Sequence, residues 1–161
     1  MRAGYERRAE LDEVLDRVRE LSARTVIFDI EPLVAYWDSS QEALDRGVAL
    51  VLSQAGAVPG VQVVCFATNS VRRPSDLSRG AGARVVYLTS AGKPLRIAAY
   101  RSFPRPGVVI GDQVATDGIL ARRLGYAFVQ YRPQLGRLPA GPRLMDRFGR
   151  LVRPLLFTRP G

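Results

Sequence analysis

The spacing of apolar positions changes period several times along the chain. Leu11, Val14, Leu15, Val18 and Leu21 recur at helical intervals, with acidic residues ahead of them and arginines behind, so an N-terminal amphipathic helix is predicted. Five short runs rich in β-branched and aromatic residues follow: TVIFDI (25–30), VQVVCFAT (61–68), ARVVYLT (83–89), GVVIGD (107–112) and YAFVQY (126–131). Each reads as a strand buried on both faces. The segments between them, QEALDRGVALVLSQAG, a shorter SDLSRG, KPLRIAAYRSF and TDGILARRLG, shift toward helical spacing, and Gly often follows the last apolar residue. Strands alternating with helices predict an α/β, three-layer, Rossmann-like fold, with a five-stranded parallel sheet and helices on both faces. Ligands of such sheets gather at the carboxyl ends of the strands, where the strand order reverses.

The pattern breaks at residues 132–142, where RPQLGRLPAGP holds three Pro and two Gly and reads as a connector. A last helix is predicted from about Pro142. Leu144, Met145, Phe148, Leu151, Val152, Leu155 and Leu156 fall on one side of it and Arg143, Arg147 and Arg150 on the other, and Pro154 should kink or end it. The expected organisation is a domain over 1–131, N-terminal helix included, and a basic linker with a C-terminal amphipathic helix over 132–161. Charge follows the same division. Residues 1–117 carry 15 basic and 14 acidic groups, whereas 118–161 carry 9 basic groups against Asp146 alone, so the net charge of +9 sits almost wholly in the tail.

Composition narrows the chemistry. The apolar fraction of 47% with 24% charged residues suits a folded domain rather than a disordered chain. The chain has no His, which removes Ser-His-Asp and Cys-His catalysis, His-ligated zinc and histidine bases together. Cys65 is the one cysteine and cannot form an internal disulfide. The start MRAGYERRAELDEVL lacks the apolar core of a secretion signal, and no uncharged apolar run reaches the roughly 18 residues of a spanning helix. A cytoplasmic location, with peripheral membrane contact through the tail, is the expectation.

Polar residues fall at the ends of the predicted strands: Asp29 and Glu31 after the first, Thr68 and Asn69 after the second, Lys93 beyond the third, Asp112 and Asp117 after the fourth. They should converge on one edge. Acidic groups gathered there would repel one another without a cation, and hard oxygen ligands suit Mg²⁺ with a substrate phosphate completing the shell. Lys93 is the single Lys among 24 basic residues. A compact ammonium retained in an Arg-rich chain fits a phosphoryl group, although a surface Lys ahead of Pro94 explains it equally well. The residues by themselves predict a Mg²⁺-dependent phosphoryl-transfer site, with one carboxylate free to attack phosphorus and another to move a proton.

These strings resemble the haloacid dehalogenase (HAD) superfamily, and within it the subfamily IIIA phosphatases of the YqeG type, which are similar to mitochondrial phosphatidylglycerophosphate phosphatase. The resemblance runs from about residue 24 to 133. FDIEPLVAYWD stands where the family has a strand ending in Asp-x-Asp, then Asn-Thr-Leu-Val and Trp-Asp; TNS at 68–70 stands for Ser-Asn-Asn, and GKP at 92–94 for Lys-Pro. In GDQVATDGILARRLGY the residues Gly111, Asp112, Gln113, Thr116 and Asp117 fall at the family's spacing. The resemblance implies that Asp29 is the nucleophile forming an aspartyl-phosphate and that Glu31 stands at the acid/base position. It implies that Thr68, Asn69 and Lys93 bind the phosphoryl group, and that Asp29, Glu31 (through its main-chain carbonyl), Asp112 and Asp117 hold Mg²⁺. Glu31, Pro32 and Leu33 replace the family's Asp, Asn and Thr. One extra methylene moves the Glu31 carboxyl by about an ångström, an error that costs on the order of a hundredfold in rate. A catalytically weakened relative, acting as a metal- and phosphate-binding or protein-interaction module, is therefore the competing expectation.

Many members of that superfamily cover the site with a cap domain, for which this chain has no room. An open site suits large or lipid substrates, with water excluded by the substrate, by a second subunit in a homo-oligomer, or by a surface. The C-terminal helix offers an anionic membrane one such surface, but a helix of this pattern more often packs on its own sheet or on a partner subunit with the Arg face solvated. Trp37, between Tyr36 and Asp38, falls where the family's flap contacts substrate, or plugs the sheet's edge. Nucleic acid ranks last: Arg122, Arg123, Arg132 and Arg137 with Tyr131 could track phosphates, but no binding motif accompanies them.

Overall fold

The computed structural model describes residues 5–8, 10–75, 82–132 and 140–157. In chain order these form β1 (Tyr5–Arg8), α1 (Leu11–Glu20), β2 (Thr25–Asp29), α2 (Gln41–Gly56), β3 (Val63–Ala67), β4 (Arg84–Leu88), a 3₁₀ turn (Ala98–Tyr100), β5 (Gly107–Gly111), a π-helical turn (Val114–Gly118), α3 (Ile119–Leu124), β6 (Ala127–Tyr131) and α4 (Ala140–Leu156). All strand pairs are parallel, in the order β1-β6-β5-β2-β3-β4. The fold is α/β, a parallel sheet with helices against both faces.

β2, β3 and β5 are buried throughout, which explains why their sequences are apolar without alternation. One face of the sheet packs Phe28, Val64, Phe66 and Ile110 against Val14, Leu15 and Val18 of α1 and Leu44, Val48, Val51 and Leu52 of α2. The other packs Ile27, Cys65, Val109 and Phe128 against Tyr100 and Phe103, against Leu120, Ala121 and Leu124 of α3, and against Phe157 just past α4. Ser40 caps α2, its hydroxyl accepting from the Ala43 N–H, and Gly125 ends α3 in the left-handed conformation.

Several expectations need correction. Among the described residues the sheet has six strands rather than five, because Tyr5–Arg8 pairs with β6 from Tyr5↔Phe128 to Arg8↔Tyr131. YERR has no apolar alternation, and its place rests on main-chain ladder bonds, on the Tyr5 hydroxyl donating to Gln130, and on Glu6 pairing with Arg8 and Arg17. β4 is an edge strand and only half-buried, not covered on both faces. KPLRIAAYRSF does not form a helix. Between Pro94 and Pro104 it makes only the 3₁₀ turn, and it contributes to the core by burying Tyr100 and Phe103 edge to face. Pro154 stands inside the last turn of α4, which runs on to Leu156. Most of SDLSRG and of the connector lies outside the described residues.

The chain moves from β2 outward to β3 and β4, then returns to the other side of β2 for β5 and β6. The strand order therefore reverses between β2 and β5, and the carboxyl ends of those two strands flank the reversal. Among the described residues, neither 30–40 after β2 nor 89–106 after β4 holds a cap-sized insert. No described helix is long and apolar enough to cross a membrane.

Candidate functional site

Asp29 is the last residue of β2, and Asp112 follows β5 directly, so the two stand on either side of the reversal. Past Asp112 the chain does not enter an α-helix at once. It makes the π-helical turn, in which Asp117, Gly118 and Thr116 all direct their N–H groups to the Gln113 carbonyl. That turn carries the fully buried Asp117 back toward the strand end. The approach demands a glycine beneath it: a Cβ on Gly111 would lie 2.3 Å from Asp117 Oδ2. Asp29, Asp112 and Asp117 each offer an oxygen, and the three oxygens lie within 4.8 Å of one another.

Lys93 enters from the loop after β4, and its Nζ stands 2.7 Å from Asp29 Oδ1 and 2.7 Å from Asp117 Oδ1. Burial by itself would lower the Lys93 pKa, but Asp117 and Asp29 outweigh it and hold the ammonium charged. Burial first, and then Asp117, raise the Asp29 carboxyl well above its usual range against the pull of Lys93. Asp112 is pushed up to about 7, again by burial and then by Asp117. With all three ionised, three carboxylates less one ammonium leave two negative charges in a buried cluster. Asp112 Oδ1 is buried with no hydrogen-bond partner among the described residues. A divalent cation on hard oxygen donors answers both the excess charge and the orphaned oxygen, so the residues fit Mg²⁺.

Glu31 points elsewhere. Its Oε2 accepts a 2.9 Å hydrogen bond from the Thr68 hydroxyl, while Oε1 is buried without a hydrogen bond, 3.9 Å from an Arg72 nitrogen. Thr68, the first residue past β3, also accepts from the Ser70 N–H. Asn69 turns away from the cluster: its Oδ1 accepts from the Lys93 N–H at 2.8 Å and its Nδ2 donates to the Lys93 carbonyl at 3.1 Å. This two-point clamp holds the backbone that presents the ammonium. Together Asp29, Glu31, Trp37, Thr68, Asn69, Ser70, Lys93, Gln113 and Thr116 line an open cavity of about 270 Å³.

The predicted site residues thus stand at the carboxyl ends of the strands: Asp29, Lys93, Asp112 and Asp117 around the acidic cluster, Glu31 with Thr68 beside it, and Asn69 turned to the Lys93 backbone rather than into the cluster. Sequence reasoning missed Arg72, whose guanidinium donates to the carbonyls of Tyr36 and Ser39 and so pins the loop carrying Trp37. It missed Gln130 as well, which donates to the Asp112 carbonyl. Neither has a sequence signal, since one is an Arg in an Arg-rich chain and the other a Gln in a strand. Three of the four arginines expected to track nucleic-acid phosphates are engaged internally. Arg122 donates to the Leu156 carbonyl, Arg123 to those of Pro94 and Leu95, and Arg132 pairs with Asp146, while Arg137 lies outside the described residues.

No family model, curated protein or solved structure matches this chain.

Proposed function

We propose that the protein is an open-site, Mg²⁺-dependent phosphate monoester hydrolase of the HAD type that works through an aspartyl-phosphate on Asp29. The observation that carries this reading is the meeting of Asp29, Asp112 and Asp117 around the Lys93 ammonium at the point where strand order reverses. Asp29, Asp112 and Asp117 would hold the cation, which when bound supplies charge neutralisation for the carboxylates and the phosphoryl oxygens.

In the first step an Asp29 carboxylate oxygen attacks phosphorus, its bond to phosphorus forms, and the bond to the leaving oxygen breaks. Protonated Glu31 gives that oxygen its proton. In the second step water attacks phosphorus, the Glu31 carboxylate takes the water proton, and the Asp29–phosphorus bond breaks, releasing inorganic phosphate and restoring both carboxyl groups. Lys93 stays charged throughout and faces the developing negative charge. The Thr68 hydroxyl and the Ser70 N–H line the phosphoryl side of the cavity. The open mouth, with Trp37 on its rim, suits a phosphate carried on a large molecule or a lipid.

The test is hydrolysis of a generic aryl phosphate. Activity is expected with Mg²⁺, is abolished by EDTA, and falls on the order of ten-thousandfold in Asp29→Asn. Equal rates for wild type and Asp29→Asn end the catalytic reading. One observation favours the competing reading of a binding module without turnover: Glu31 is already bonded to Thr68, a group the phosphoryl oxygens would use. That reading predicts tight Mg²⁺ and phosphate binding with no hydrolysis.

A further inference from the structure

α4 turns the face that carries Gly149 inward. Gly149 lies against the π-helical turn, where a Cβ would meet Val114 at 3.2 Å, and Phe157 stacks on Phe128 with ring centroids 5.7 Å apart. Val152 and Leu156 complete that contact. The apolar ridge faces away from the molecule: Leu144, Phe148, Leu151 and Leu155, spaced i, i+4, i+7 and i+11, are 64, 50, 75 and 81% exposed. Single exposed apolar residues are ordinary, but four on one helical ridge mark an interaction surface.

Charge identifies what the ridge meets. Arg143 and Arg147 border it, both exposed and without an ion-pair partner among the described residues. Asp146, the only acidic residue after Asp117, is buried and already shared between Arg132 and Arg150. A second copy of the helix would set arginine against arginine with no exposed carboxylate to answer. An anionic lipid surface answers both features, taking the side chains at the acyl boundary and the guanidiniums at the headgroups.

We propose that α4 docks the protein in the plane of an anionic membrane, with Leu144, Phe148, Leu151 and Leu155 inserted and Arg143 and Arg147 on the lipid phosphates. Arg132 follows the carboxyl end of β6, so its pairing with Asp146 holds the N-terminal half of α4 at the edge of the sheet where the cavity opens. Binding itself is independent of the phosphatase reading and is measured without activity.

The experiment is sedimentation of the full chain with vesicles of phosphatidylcholine mixed with phosphatidylglycerol, and with phosphatidylcholine alone. Wild type is expected in the pellet with the anionic vesicles only, and high salt should release it. Leu151→Glu/Leu155→Glu should stay in the supernatant, and Arg143→Glu/Arg147→Glu should bind on the order of tenfold or more weakly. All four side chains are exposed, and circular dichroism checks that the variants fold. No sedimentation of wild type overturns the proposal, as does equal capture by uncharged vesicles. A wild-type dimer that Leu151→Glu/Leu155→Glu dissolves, with no vesicle capture, overturns it in favour of a second copy.

Discussion

Glu31 is the residue whose length decides most. Its carboxyl reaches the Thr68 hydroxyl at 2.9 Å, and removing one methylene draws it back by about an ångström, enough to break that bond. Glu31→Asp is therefore expected to release Thr68 to the phosphoryl oxygens and raise turnover of an aryl phosphate, on the order of tenfold to a hundredfold. Unchanged turnover in steady-state kinetics would show that the Glu31–Thr68 bond does not hold the reaction back and that another step limits it. Lys93 shows how one side chain reconciles opposed forces. A buried ammonium is costly alone, yet between Asp29 and Asp117 it is held charged, and the Asn69 clamp fixes its backbone on both sides of the residue.

Among the elements, the π-helical turn does what an ordinary helix start would not. It returns Asp117 to the strand end against Gly111, so tightly that no side chain fits between them. Gly111→Ala is expected to destabilise the fold by about 1–3 kcal/mol in urea denaturation, since overpacking there is relieved only by moving Asp117. The same displacement should weaken Mg²⁺ binding. Stability at the wild-type level would mean that Asp117 is not held as tightly against β5 as this contact requires. The outer side of that turn bears α4 through Gly149. The C-terminal helix and the acidic cluster thus share one element as their support.

For the molecule as a whole, the acidic cluster is a destabilising feature as long as no cation offsets its charge. Burial and like charge push Asp112 up to about 7, so its ionised form opposes folding. Mg²⁺ at a hundredfold excess over its Kd should add about 2.7 kcal/mol. For a chain of 161 residues this raises the melting temperature by roughly 5–10 °C. Asp112→Asn should abolish the shift while leaving the metal-free protein at least as stable as wild type, because the substitution removes a buried charge. A melting temperature indifferent to Mg²⁺ in the wild type would argue against the cation site.

The fully buried strands and the acidic residues at their ends were legible because burial on both faces imposes continuous apolar runs, and a following Asp is conspicuous after such a run. β1 was not legible, since YERR joins the sheet through main-chain ladder bonds that leave no mark on side-chain pattern. The segment around the short turn at Ala98–Tyr100 has helical spacing in sequence yet forms no helix, because Tyr100 and Phe103 serve the core from irregular backbone. The periodicity of α4 established that it has an apolar face, but amphipathicity is a property of a helix alone. Which face turns inward depends on what the neighbouring surface accepts, and the π-helical turn accepted Gly149, leaving the larger side chains outside. Only the tertiary structure could decide that, as it decided that Asn69 serves the Lys93 backbone and that Glu31 meets Thr68, because those partners come from segments distant in the chain.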